Sequence, residues 1–444
     1  KGGNIPILSY GIDVANPNNF QYAAGLSDGT VLGNWNIGSS SRTTENTTAG
    51  VNFGWQATDA FKIKFGAQHR VSDYKVRTQQ LAPAYTATRN LPAGVSVSDF
   101  TRIVKGVNDK LGSNTLGNYV GVDHEKWKKA VGFNDFEWCG AECGAQSPEV
   151  KETINSAYLM TEFRFEDLAM PIRGDIGVRY VETDQHSVGF VPTAAPAGSK
   201  YPTVALPVAV DRKYDDLLPS ANVVIEINPS LLARLSFAEV ISRPDLGVLI
   251  PSGSVNATTR TGSIGNPFLE AIRAKTYDAS LEWYFNEGAL ASVAYFEKDI
   301  DTYIQSISSL VPYSELGLPN TLLEGSSATP ADLFTVMRST NTPGGPLKGV
   351  ELNMQLPFTF LPGFWQDFGL LANYTHVTSD INYVLQSANG VPTLTTTNDL
   401  IGLSKDAASA TLYYEKDDFS IRTTGSYRSG YLHSIPRSRH NFFV

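Results

Sequence analysis

The fold is decided by the stretch Tyr277-Asp278-Ala279-Ser280-Leu281-Glu282-Trp283-Tyr284-Phe285. Tyr277, Ala279, Leu281, Trp283 and Phe285 alternate with Asp278, Ser280, Glu282 and Tyr284. A period of two puts the first set on one face of a β-strand and the second set on the other. Asn286-Glu-Gly288 then makes a very short connection, and a second strand is expected over 289–305.

The same alternation recurs along the chain. It is clear in Ala49, Val51, Phe53, Trp55, in Phe61, Ile63, Phe65, Ala67, in Val350 to Phe358 and in Phe368 to Tyr374. About thirteen strands are expected, near 5–14, 46–56, 61–77, 153–166, 171–185, 213–227, 231–242, 274–286, 289–305, 346–358, 366–380, 405–416 and 419–430. Their connections alternate between very short (57–60, 228–230, 286–288, 416–418) and long (78–152, 186–212, 243–273, 306–345, 381–405). An up-and-down barrel sorts its connections this way, because one end faces the periplasm and the other the outside. Short helices are expected in two long loops, over 98–111 behind Ser98 and over Thr329–Arg338.

Composition agrees. Of 444 residues, 18% are charged and 11% aromatic, and the net charge is −9. The charged fraction is below the roughly 25% of ordinary soluble chains. The negative charge argues against a nucleic-acid partner. No run of about 18 apolar residues offers a transmembrane helix. The chain opens at Lys1 with no signal segment, which reads as a cut-down piece of a longer protein.

Several ordered motifs carry a resemblance. They are Tyr214-Asp-Asp-Leu-Leu-Pro-Ser-Ala-Asn222, Ala238-Glu-Val-Ile-Ser-Arg-Pro-Asp-Leu246, Gly265-Asn-Pro-Phe-Leu-Glu270, Phe296-Glu-Lys-Asp-Ile300 and Gly349-Val-Glu351. Together, over about 150–430, they resemble the TonB-dependent receptors of Gram-negative outer membranes. The resemblance implies an all-β fold: an antiparallel up-and-down transmembrane β-barrel with short periplasmic turns and long extracellular loops. Residues 1–444 then form a single partial barrel, about 13 of about 22 strands, without the family's N-terminal plug.

No catalytic constellation is expected. Gly25-Leu-Ser27-Asp-Gly29 matches a nucleophile-elbow pattern but lacks a following helical pattern. The six His residues show no ligand spacing, so neither a metal nor a cofactor is expected. The two cysteines, Cys139 and Cys143, read as a small disulfide near the tip of the longest loop. Beside them, Tyr119, Trp127, Asp135, Phe136, Glu137 and Trp138 are candidate ligand residues; the competing reading is that they pack this loop against itself. Arg173, Arg179, Arg234, Glu282 and Asn373 are expected to face the lumen, with Tyr158, Tyr180, Trp283, Tyr374, Tyr414 and Tyr427 as candidate interfacial rings.

The resemblance implies an outer-membrane importer of a scarce ligand, powered through the TonB complex by way of the missing N-terminal region. An oligosaccharide is the expected ligand. A ferric-siderophore receptor, a passive porin and a soluble β-rich protein are the alternatives.

Overall fold

The computed structural model describes residues 11–20, 38–82, 91–106, 117–316, 318–388 and 391–435. Residues 5–10 of the first expected strand, the Gly25–Gly29 motif, Val107 and Leu111 lie outside them. The chain divides into two compact units, one of residues 1–41, 76–147 and 192–206, the other of 42–75, 148–191 and 207–444.

In chain order the strands begin with β1 (Gly38–Gln56) and β2 (Phe61–Leu81). The short β3 (Thr101–Val104), β4 (Tyr119–Val122) and β5 (Trp138–Cys139) follow. Then come β6 (Glu149–Phe165), β7 (Ile172–Ala194), β8 (Thr203–Asn228) and β9 (Leu231–Ser242), and the short β10 (Gly253–Asn256) and β11 (Thr261–Ile264). The rest are β12 (Ile272–Asn286), β13 (Ala289–Pro312), β14 (Leu333–Pro357), β15 (Phe368–Ser379), β16 (Ile381–Ala388), β17 (Val391–Asn398), β18 (Asp406–Lys416) and β19 (Phe419–Arg428).

In the second unit the long strands form an antiparallel ladder. β2 pairs with β6 and β6 with β7; from β8 the pairing passes through β9, β12, β13, β14, β15 and β18 to β19. β7 lies beside β8, where Asn222 donates to Asp175 Oδ1 at 2.9 Å. The turns are built by local chemistry. Asn228 Oδ1 accepts from the Ser230 amide at 2.9 Å, and Gly288 takes φ +67° in the turn before β13.

The outward face of the ladder is apolar and uncovered. Phe53 is 56% exposed and Leu281 39%, and Leu370 is half-buried. The expected alternating face therefore does not pack into a protein core.

Twelve of the thirteen expected strands are present; of the other, expected over 5–14, residues 5–10 lie outside the described residues and 11–14 form bends and a turn. Three expectations change. The expected loop 186–212 is largely strand and 306–345 is about half strand, since β7, β8, β13 and β14 continue into them. The expected helix behind Ser98 is only a 3-10 turn, Val97–Phe100, which runs directly into β3. The expected helix over Thr329–Arg338 is a turn leading into β14.

The continuations of β13 and β14 extend the same sheet through further pairings. β11 joins β14 in parallel at Thr261↔Thr335, and β16 joins β13 in parallel at Ser309↔Ser387. With β10 and β17 added at the edges, the order is β10-β11-β14-β13-β16-β17. Its core is Val311, Tyr313, Leu323, Phe334 and Val336, with Val255 and Ile264 packed against it. The unit's apolar burial thus lies in this extension and in the cluster of Val150, Leu249 and Leu269.

Candidate functional site

In the first unit, Trp138 and Cys139 form β5, which pairs with the end of β2 at Leu81 and Gln80. The sulfurs of Cys139 and Cys143 are bonded, and both residues are buried with Ala82 and Tyr201. Gln80 Nε2 donates to the Cys143 carbonyl at 2.7 Å. The disulfide therefore sits against a strand end rather than at the loop tip, because strand pairing captures it.

The loop's one described α-helix, α1 (His124–Val131), went unread in the sequence. Its signals are present: Asp123 caps the Lys126 amide at 3.2 Å, Lys128 and Lys129 occupy the last turn, and Gly132 follows at φ +66°. Phe133 stands between Trp127, Phe136 and Trp138, with ring centroids 5.5, 5.3 and 5.7 Å away. Leu81 and Val131 complete this cluster. Three candidate aromatics are thus brought together as packing. Tyr119 stands on β4 opposite Val104, and Asp135 is exposed in a 3-10 turn.

Glu137 is exposed and charged. Lys200 donates to Glu137 Oε1, and Tyr201 Oη donates to the same oxygen at 2.6 Å. Those donors, Lys200 first, hold the Glu137 carboxyl below its ordinary value, and the same bond raises Lys200.

In the second unit the polar face carries the other candidates. Arg234 grips Glu282 through two bonds, at 2.7 and 3.1 Å. Arg173 pairs with Glu226 and Lys64 with Glu162. Arg179 donates to Ser156 at 3.1 Å and lies 5.1 Å over the Tyr158 ring, and Asn373 donates to Ser409 at 2.9 Å. Tyr158 also donates to Asn52 at 2.9 Å, so it belongs to the polar face and not to an interfacial girdle. Rings cluster instead at the turn ends. Phe61 lies 5.6 Å from Phe165, Trp283 lies 4.8 Å from Phe285, and Phe364, Phe368 and Tyr414 lie within 5.1 Å of one another.

The motif residues converge on a partly buried polar network. Arg273 bridges Asp216 Oδ1 and Glu270 Oε2, each at 2.8 Å. Arg243 donates to Thr183 at 3.2 Å, and Gln185 to the Pro267 carbonyl at 2.9 Å. A Cβ on Gly265 would lie 1.9 Å from the Ile250 carbonyl oxygen, so glycine is required there. These contacts fasten 243–271 to β7 and β8, which makes the motifs scaffold.

Residues 3–439 match the family model described as TonB dependent receptor-like, beta-barrel. No curated protein matches the chain. It is similar to a mutant form of the ferric enterobactin receptor PfeA of Pseudomonas aeruginosa, at 13% identity over 88% of this chain and 58% of that one, with a TM-score of 0.38. It is also similar to the ferric citrate transporter FecA, at 12% identity over 90% and 44%, TM-score 0.47. The alcaligin outer-membrane receptor FauA of Bordetella pertussis gives 15% identity over 89% and 55%, TM-score 0.39. The chain spans about half the length of these solved structures.

Proposed function

Because the chain belongs to the TonB dependent receptor-like β-barrel family of outer-membrane receptors, which are not enzymes, we propose that it is the barrel portion of an energy-coupled importer. The polar face, with Arg173, Arg179, Arg234, Glu282 and Asn373, lines the passage, and the apolar face meets lipid. TonB acts through the parent protein's N-terminal region.

The proposed ligand is a hydroxyl-rich oligosaccharide. The observation that supports this is charge pairing: Arg234 with Glu282, Arg173 with Glu226, Lys64 with Glu162 and Arg273 with Asp216 and Glu270. A passage in which several cations are already matched by carboxylates, while Arg179 bonds Ser156 instead, suits a neutral solute better than an anionic ferric complex, which calls for a cluster of unmatched positive charge. Trp138, half-buried beside exposed Glu137, offers the ring and carboxylate that a sugar uses.

The test is uptake by cells carrying the full-length parent, with labelled oligosaccharides and ferric siderophores in parallel. Sugar uptake abolished by an uncoupler supports the proposal. Uptake of ferric siderophores alone overturns the ligand class, and uptake that survives the uncoupler overturns energy coupling in favour of a porin.

A further inference from the structure

One residue of the fastened segment 243–271 is not scaffold. Asn266 Oδ1 accepts from the Phe268 amide at 3.0 Å, and the Leu269 amide donates to the Asn266 carbonyl at 3.4 Å. Pro267 and Phe268 are therefore the central residues of a tight turn, with φ of the first fixed by its ring. The turn is tied down along its length. Asn266 Nδ2 donates to the Ser339 carbonyl at 2.9 Å, and the Pro267 carbonyl accepts from Gln185 at 2.9 Å. The Leu269 carbonyl accepts from Arg212 at 2.7 Å. Asn341 accepts from the Glu270 amide at 2.9 Å and donates to the Glu270 carbonyl at 3.0 Å.

These anchors place the turn on the inner side of the ladder. Gln185 shares its face of β7 with Arg173 and Arg179, and Asn341 shares its face of β14 with Glu351 and Asn353. The turn also stands above the apolar band. On the outward face of β6 and β7, Ala157 and Tyr180 give way to Asn155 and Glu182 and then to Thr153 and Asp184, and Gln185 is one residue further along. Pro267 and Leu269 are buried, Leu269 with Val150 of β6. Phe268 between them is 62% exposed. With its neighbours turned to the wall, its ring projects into the outer mouth of the passage. Phe53 and Trp283 are also exposed, but on the face that meets lipid; Phe268 meets water. Two residues on, exposed Glu270 has its carboxylate fixed by Arg273 at 2.8 Å.

We propose that Phe268 is a specificity-determining residue of the importer, a platform on which one pyranose ring of the oligosaccharide stacks while the Glu270 carboxylate accepts from its hydroxyls. The C–H face of a pyranose is apolar, and covering the phenyl face with it removes apolar surface of both from water. The turn is ordered before the ligand arrives, so binding costs little further ordering. The cations that hold this segment are engaged, Arg273 by Asp216 and Glu270 and Arg212 by the Leu269 carbonyl, which disfavours an anionic ferric complex at the same place. The inference rests on the oligosaccharide reading above and adds to it the residue that meets the sugar.

The test is calorimetric titration of the purified full-length parent with maltohexaose, cellohexaose and xylohexaose. The wild-type protein is expected to bind at least one of them. Phe268→Ala weakens that binding about tenfold. Phe268→Leu, which keeps an apolar side chain but loses the flat face, weakens it similarly, and Phe268→Tyr retains it. Thr258→Ala, in the exposed turn between β10 and β11, leaves it unchanged. Heat-resistant migration confirms that each variant is folded. Sugar binding that Phe268→Ala or Phe268→Leu leaves unchanged overturns this inference alone. A wild-type protein that binds none of the three sugars overturns the oligosaccharide reading and this inference with it.

Discussion

The two halves of β13 expose the same face to different surroundings. Near the turn, Val293 and Tyr295 are each 42% exposed; near the long-loop end, Ile307 and Val311, on that same face, are 4% and 2% exposed. β14 repeats the contrast, with Leu352 at 46% and Phe334 at 0%. Lipid solvates the lower half, and folded protein covers the upper. Apolar alternation in one strand is thus satisfied in two ways, and side-chain truncation separates them.

The largest effect is expected in the upper half. Phe334→Ala opens a cavity beside Tyr313 and costs about 3–5 kcal/mol. Leu352→Ala changes little, because lipid refills the space. Hydrogen exchange of the β13–β14 amides in the full-length parent checks this: exchange rises in 304–312 for the first variant only. Equal responses would erase the distinction between the halves.

A charge probes the contrast from the other side. Leu281→Arg, within the apolar band, costs about 2–4 kcal/mol, whereas Thr153→Arg, above it, costs about 0–1. Folding into vesicles from denaturant measures both, and a larger cost at Thr153 would place the band wrongly.

The same contrast explains what the sequence disclosed. Turn-end boundaries were legible, and Asn286–Gly288 and Asp417–Asp418 fall where local turn chemistry puts them. The upper boundaries were not. Pro343-Gly344-Gly345-Pro346 looks like a breaker, yet it lies inside β14. A Cβ at Gly344 would lie 2.2 Å from the Ile300 carbonyl oxygen, and one at Gly345 1.9 Å from that of Asp380, so tertiary crowding selects these glycines. Of the loop candidates, Trp127, Phe136 and Trp138 were found together, but their assembly on Phe133 depends on α1. No spacing rule indicated that Lys200 and Tyr201, far along the chain, would meet Glu137.

Smaller effects sharpen the comparison between matched and exposed charge. The Arg234–Glu282 pair is partly exposed, at 42% and 17%, so a double-mutant cycle is expected to show a coupling of about 0.2–1 kcal/mol. Coupling much above that would mean the polar face is drier than described.

The Glu137–Lys200–Tyr201 contact is expected to be pH-bounded. Glu137 is shifted down from 4.5, so its contribution is full above that value and is lost as pH falls through the lower folded value. Lys200 is shifted up from 10.5, so its contribution is full below that value and is lost as pH rises through the higher folded value. Proteolysis of 137–145 across pH checks the window; susceptibility greatest near neutrality would contradict it.

The most direct test of the account is collision accessibility of nitroxide labels along β12 and β13 in the full-length parent, reconstituted in bilayers. Labels at 279, 281, 283, 293 and 295 should be accessible to oxygen and shielded from a water-soluble nickel complex, with alternate positions showing the reverse. Labels at 307 and 311 should be shielded from both. Oxygen accessibility at 307 and 311 equal to that at 281 and 293, or nickel accessibility at 281 and 293, would contradict the assignment of lipid below and protein above on one continuous face.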